Sequence, residues 1–576
     1  MKKLSCILIA LIAISGYAQK TLSKDYSFKV SEPYKVVDAK IKRYFAKGNE
    51  ALAIKFDGGD ITIQKFNTEK PAFIKEKTYE KFLPKNYEVE DVLEVNNTHY
   101  VFFSSWDGDN DKEQLFSQEI DFGKGEFAGS PKLMFQVDGK VSRGAATGPV
   151  RISPWGFGNM GGAGGASKFD IFRSYDKNNI LVQYRKKPEV KNDKKSYDVI
   201  GLGAFDGSLN KLTLKEVKMP YTERRMNNLD YMLDNKGNLF MLTKVFHDDS
   251  NDDKKKKKDS VANYHIELFR IKPGSDKVEI SQFNNGDKFI NGLWLFDTNQ
   301  DYLVCGGFYS NGKGKLDGKS GFFSGGNKIS STGESDGIFV FKIKSDGTMY
   351  DQYFHEIPVE ILNAFESKRT VRKNEKKEEK GISAKIPDLM LKNIEVLPDG
   401  SMMLVGEQYF MQQHQSGGGM AMGGGMSMGG SNTYYTYHYG DILATKIAAD
   451  GSLSFMRKMP KIQVGKNGQG GMSFKYFFAN NSHYFVYLDN VKNIDLPEGK
   501  TPAEHSDGKG GYLTAVRITD ADGTLKKGSI LNAREVDDFK IHQFSTNRII
   551  KTGENSFMVE AYKKQKEDIM IKINLN

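Results

Sequence analysis

Cysteine is almost absent: only Cys6 and Cys305 occur in 576 residues. Cys6 lies in a leading segment that reads as cleaved, so no intramolecular disulfide can staple the mature chain. Tryptophan is as scarce, with Trp106, Trp155 and Trp294 alone. After the first residues no apolar run is long enough to span a bilayer, which excludes a helical membrane span from the mature chain. No G-x-S-x-G nucleophile elbow and no P-loop are present. "FHEIPVE" at Phe354 has no second metal-binding histidine and contains Pro358, which excludes a zinc-protease helix. The nine histidines are scattered singly. No catalytic residue, metal ligand or cofactor is therefore assigned; an enzyme is the less favoured class.

The first residues, "MKKLSCILIALIAISGYAQ", carry a positive start (Lys2, Lys3), an apolar core (Ile7 to Ile14) and small residues before Gln19. That pattern predicts a signal peptide over 1–18 and export. Cys6 precedes the apolar core, whereas a lipid-modified cysteine would follow it, so the mature chain is expected to be periplasmic and not lipid-anchored. The net charge of +10 would suggest nucleic acid in the cytosol. After export it points instead to lipid headgroups, glycans or acidic proteins, and no nucleic-acid partner is expected.

Aromatics make up 12 % of the chain, and Val, Ile, Tyr, Phe and Thr fall in short alternating runs, which favours strands. These runs repeat. "GDILATKIAADGSLSF" at Gly440 has counterparts in "DGIFVFKIKSDGTMYDQ" (Asp336), "GYLTAVRITDADGTLKK" (Gly511) and "YDVIGLGAFDGSLNKLTL" (Tyr197), with looser copies at Asp60, Glu113, Tyr264 and Asp568. A second motif, a polar turn and a half-buried strand, precedes each copy, as in "GNLFMLTKVF" (Gly237) and "DGSMMLVGEQYF" (Asp399). The unit is four strands, a to d, and such units around an axis make a β-propeller. The fold class is all-β, with eight (or seven) blades over 19–576, and "DYSFKV" (Asp25 to Val30) is expected to supply the strand that closes the ring.

In such a unit the b–c and d–a connections leave on one face. The insertions at 153–167, 247–260, 310–336, 366–381, 411–439 and 490–510 all fall in those slots, which predicts one loop-rich face and one plain face of short Asp, Asn and Gly turns. The stretch "QSGGGMAMGGGMSMGGSNTYY" (415–435) brings Met420, Met422, Met426 and Met428 to that face. With His414 and His438 it has soft-metal ligand types, yet adaptable thioethers gripping an apolar partner is the favoured reading. Trp155, Phe157 and Met160 in "PWGFGNMGG", Phe322 and Phe323 in "SGFFSGG", and Met472 in "GQGGMSF" are assigned the same partner-binding role. "DGDNDKE" at Asp107 departs from a calcium loop at Lys112 and Gln118 and reads as an Asx-rich turn.

The "YAQ" ending resembles signal peptides common in Bacteroidota. Exported, unanchored, large and loop-plugged, the chain is similar in general character to the periplasmic plug subunit of the type 9 secretion translocon. That resemblance implies a non-enzymatic propeller that binds an outer-membrane or other envelope protein through its loop-rich face. The alternative is a propeller enzyme or ligand-binding protein acting on glycans or peptides in the central channel. Resemblance to eight-bladed quinoprotein dehydrogenases stops at architecture, because the Trp-docking motif and the vicinal disulfide are missing.

Overall fold

The computed structural model describes residues 22–143, 167–253, 261–283, 285–311, 327–330, 333–416, 432–466, 470–497, 499–563 and 565–575. Strands dominate, and they pair in chain order. Ile41–Lys47, Glu50–Asp57, Asp60–Asn67 and Ala72–Tyr79 form one antiparallel sheet, and Tyr87–Val95 to Glu126–Asp138 form the next. The same four-strand meander recurs over Phe169–Arg173 to Lys211–Thr222, Met226–Leu233 to Val278–Phe283, Phe289–Phe296 to Met349–Glu356, and Leu389–Val396 to Leu453–Met459. Six blades thus stand as separate sheets.

This corrects the expectation of eight (or seven) blades closed by an N-terminal strand: among the described residues the structure has six blades of four antiparallel strands, and the remaining strands do not form further blades of that kind. Lys475–Ala479 to Leu525–Asn532 and Phe539–Gly553 to Glu567–Leu575 run together in a single ten-stranded sheet, joined through Glu535–Val536. Residues 533 to 538 hold the joint because the chain turns there without leaving the sheet edge. Tyr26–Val30 lies antiparallel to Glu567–Leu575, from Tyr26 opposite Leu575 to Val30 opposite Ile571.

The apolar core follows the same circuit. One cluster joins Leu52, Ile54 and Phe56 to Val101 and Phe103, and the next joins Phe102 and Leu115 to Phe169 and Ile180. The series continues from sheet to sheet, until Ala51, Ala53 and Phe66 of the first meander meet Met558 and Met570 of the last. Sheets packed face to face around an axis, first against last, are a β-propeller arrangement. Middle strands, covered on both faces, are buried almost end to end, as in Glu50–Asp57, apolar but for Lys55 between its ends. Outer strands such as Ala72–Tyr79 are exposed and rich in Lys and Glu, which blunts the free edge.

The plain face owes its short turns to a repeated chemistry. The carboxylates of Asp346, Asp450 and Asp522 accept the backbone N–H two residues on, at 2.8, 2.9 and 2.9 Å. The glycine between them adopts the left-handed conformation, φ +86° at Gly347 and +87° at Gly451, which costs a residue without a Cβ little. On the other face, in the second meander's b–c turn, Asp107 accepts from the Asp109 and Asn110 N–H groups in the same manner.

Candidate functional site

Described parts of several insertions on the opposite face form regular structure. Strands Met402–Ser416 and Asn432–Ile447 continue the sixth meander well past its neighbours as a two-stranded ribbon, paired from Tyr409 opposite Tyr439 to Ser416 opposite Asn432. Residues 411–416 and 432–439, expected in a loop, are strand. The reason is visible in "TYYTYHYG": alternating Tyr, Thr and His keep the strand period before "DILATKI" begins.

Three other insertions pair with this ribbon. Asn327–Ser330, from the fifth meander's b–c connection, lies beside Met402–Ser416, with Lys328 opposite Gln412. Gln463–Lys466, after the sixth meander, lies beside Asn432–Ile447. His505–Ser506, from the 490–510 insertion, adds a parallel partner to Gln463–Lys466. Insertions from three consecutive meanders are thus knitted into one accessory sheet. The 366–381 insertion is helical rather than irregular: it forms α2 (Lys368–Glu378), and α1 (Val359–Asn363) precedes it. Val491–Asn493 in 490–510 is a short 3₁₀ turn.

The ribbon displays rings on both faces. Phe410 stacks on His438 at 4.4 Å and His414 on Tyr434 at 4.8 Å. The Thr436 hydroxyl lies between the two histidines, 2.8 Å from His414 Nε2 and 2.9 Å from His438 Nε2. Tyr409 meets Tyr439 on the other face at 4.9 Å. Lys466 sits 4.8 Å over the Tyr434 ring. Tyr434 and Tyr435 are each 39 % exposed, enough for a partner to cover them.

The root of the ribbon is rigid and charged. Glu407, fully buried, faces Lys461 at 2.7 Å and Lys392 at 3.2 Å, and the Ser473 hydroxyl donates to it at 2.7 Å. Burial works to raise its carboxyl, yet Lys461 and Lys392 hold it below the usual carboxylate value. A buried pair of this kind fixes orientation more than it adds stability.

Two further features lie outside the accessory sheet. A cavity of about 210 Å³ near the fourth meander's b–c turn is lined by His247, Tyr264, His265, Phe283 and Asn285 among others. There the His265 ring nitrogen Nε2 lies 3.0 Å from Glu267, and the His247 and His265 rings stack at 5.4 Å. On the innermost strands, Lys475 is pushed down to about 8 by burial and then by the charge of Arg43. Asp170 is pushed up to about 7 by burial and then by Asp91. Among the described residues no group of three His, Cys, Asp or Glu is placed to hold a metal ion. Cys305 is buried and its thiol is pushed well up, so it is poorly reactive.

Of the expected partner-binding residues, Trp155, Phe157, Met160, Phe322, Phe323, Met420, Met422, Met426 and Met428 lie outside the described residues. Met472 is described, and it is 6 % exposed, with its sulfur packed against Gly465. It is an anchor beneath the accessory sheet rather than a loop tip. Tyr434, Tyr435 and Phe410 are exposed or half-buried rings to which the sequence assigns no role, and His414, noted there only as a soft-metal ligand type, joins them; the alternation in 432–439 marks the two tyrosines.

The strand pairing and core together define the class, an all-β β-propeller arrangement. No protein-family model matches the chain, and no curated protein matches it. Solved structures similar to it include the WD40 domain of SCAP from fission yeast, at 6 % identity over 96 % of this chain and 95 % of that one, TM-score 0.34. The β-propeller domain of the Trilobed protease from Pyrococcus furiosus is similar at 10 % identity over 88 % and 96 %, TM-score 0.30. The polysaccharide lyase Uly1 is similar at 8 % identity over 93 % and 90 %, TM-score 0.34. Likenesses this distant carry no functional argument, and the class rests on the strand pairing and core described above. No described helix is long and apolar enough to cross a membrane.

Proposed function

We propose that this chain is an exported, periplasmic, non-enzymatic propeller that docks another cell-envelope protein on its elaborated face, in the manner of a subunit that plugs or regulates an outer-membrane translocon. The accessory sheet carries this reading. Loops that only tolerate drift have no reason to pair with insertions of neighbouring blades, whereas a docking surface needs its rings held at fixed spacing.

The test is native affinity purification from detergent-solubilised envelope, comparing wild type with Phe410→Ser/Tyr434→Ser/Tyr435→Ser. Stoichiometric recovery of one membrane protein with wild type, lost with the folded triple variant, supports docking. Recovery of the propeller alone contradicts it. A channel ligand, a glycan or peptide bearing an anionic group, is the second reading, favoured by Lys475. A thermal shift on adding envelope glycans that vanishes in Lys475→Met would support it.

A further inference from the structure

Helix α2, "KRTVRKNEKKE" between the fifth and sixth meanders, belongs to the elaborated face without joining its sheet. Ser367 caps it, accepting from the Thr370 N–H at 3.2 Å. A helix turns 100° per residue, which gathers most of this sequence's cations on one side, with Glu375 and Glu379 at its border and within it. Lys368, Arg369, Arg372, Lys373, Lys376 and Lys380 fall within half of the circumference, and all six are exposed. Thr370, Val371 and Asn374 occupy the other half and are half-buried. That inner side is anchored: Asn374 donates to Asn363 of α1 at 2.8 Å, and Glu378 accepts the Ala384 N–H at 2.5 Å. The cationic side therefore points outward in a fixed orientation.

Its charge pattern works against the helix alone. Neighbours four apart are Lys368 and Arg372, Arg369 and Lys373, Arg372 and Lys376, and Lys376 and Lys380, each a like-charge pair that is unfavourable on an isolated helix. Among the described residues none of the six cations makes an ion pair. Two carboxylates, Glu375 and Glu379, stand three residues from Arg372 and Lys376 and offset part of this repulsion. A surface carrying dense negative charge would relieve the rest.

We propose that α2 is an electrostatic docking surface for an anionic lipid bilayer. The geometry favours a bilayer over an acidic protein: the cationic side is convex and carries no exposed apolar anchor, and a plane of headgroups demands no shape match. The absence of an insertable apolar face means the contact is peripheral, held by charge and weakened by salt. This rests on the reading that the elaborated face meets the envelope, and it orients that face toward the membrane plane.

The test is flotation of the full mature chain with vesicles of about 30 % phosphatidylglycerol in phosphatidylcholine, against phosphatidylcholine alone. Wild type should float with anionic vesicles only, and release at about 0.5 M salt. Arg369→Gln/Arg372→Gln/Lys373→Gln/Lys376→Gln should lower partitioning on the order of a thousandfold, with an unchanged or higher melting midpoint because repulsion is removed. A second variant, Lys373→Arg/Lys376→Arg, keeps charge and should float like wild type. Absence of flotation overturns the proposal, and so does undiminished flotation of the folded quadruple variant. Binding to an added acidic protein without flotation on anionic vesicles also overturns it. The vesicles hold no protein, so failure here leaves protein docking standing, and failed protein capture leaves this result standing.

Discussion

Replacing Lys55 by methionine should open the seam between the first meander and the last. Lys55 and Glu560 are both fully buried, 2.6 Å apart, and Lys55 also lies 3.4 Å from Asp568. The Tyr34 and Tyr44 hydroxyls donate to Glu560 at 2.9 and 2.6 Å, while Lys42 and Arg548 stand off at 3.6 and 3.8 Å. Removing one partner of a buried pair leaves the other charge unpaired, typically a loss of about 3 to 5 kcal/mol. The remaining donors around Glu560 place Lys55→Met at the lower end, about 3 kcal/mol. At about 2 cal/mol/K per residue, that lowers the melting midpoint of a chain this long by about 2 to 3 °C if it melts as one unit. Urea titration gives the free energy, and hydrogen exchange should show the loss in Glu50–Asp57 and Ser556–Lys563. The double change Lys55→Met/Glu560→Leu should recover most of it, because well-packed apolar groups replace a buried pair at little cost. A single variant within about 1 kcal/mol of wild type would refute the latch.

Buried carboxyls give a pH signature. Asp170 and Glu90 are each pushed up to about 7, mainly by burial, so folded protein binds their protons more tightly than unfolded chain does. Their stabilisation is complete below about pH 4 and is lost as pH rises through about 7; urea midpoints across that window should fall less steeply in Asp170→Asn, and an unchanged slope would count against the assignment. A Cβ at Gly307 would lie 1.8 Å from the Gly292 carbonyl oxygen, a backbone atom that cannot swing aside, so Gly307→Ala should cost about 3 kcal/mol in denaturant. Met472→Ala should destabilise by about 2 to 5 kcal/mol as a core truncation; normal stability with lost partner capture would return Met472 to the surface role first expected of it.

Much of the architecture was legible because each meander repeats a local pattern. Alternating apolar residues mark a strand wherever they occur, and Asp-Gly pairs such as Asp450-Gly451 mark the turn by a side-chain bond confined to neighbours. What escaped the sequence was pairing between distant segments. Nothing near Lys328 signals Gln412, and nothing in "LAIKFD" announces that Lys55 meets Glu560 across the seam. "YYTYHYG" was read as loop because the glycines before it dominated, although its own alternation continues the strand. Met472 looked exposed among glycines, yet Gly465 lacks a side chain and so leaves room for its sulfur. Helix α2 has no apolar period, since only a narrow side of it touches the protein.

Site-specific photocrosslinking in cells tests the docking claim most directly. A crosslinker at Tyr435, on the accessory sheet, is expected to capture one envelope protein repeatedly, while one at Asp450, on the plain face, captures none. Capture from Asp450 alone, or none from either position in folded protein, would contradict docking through the elaborated face.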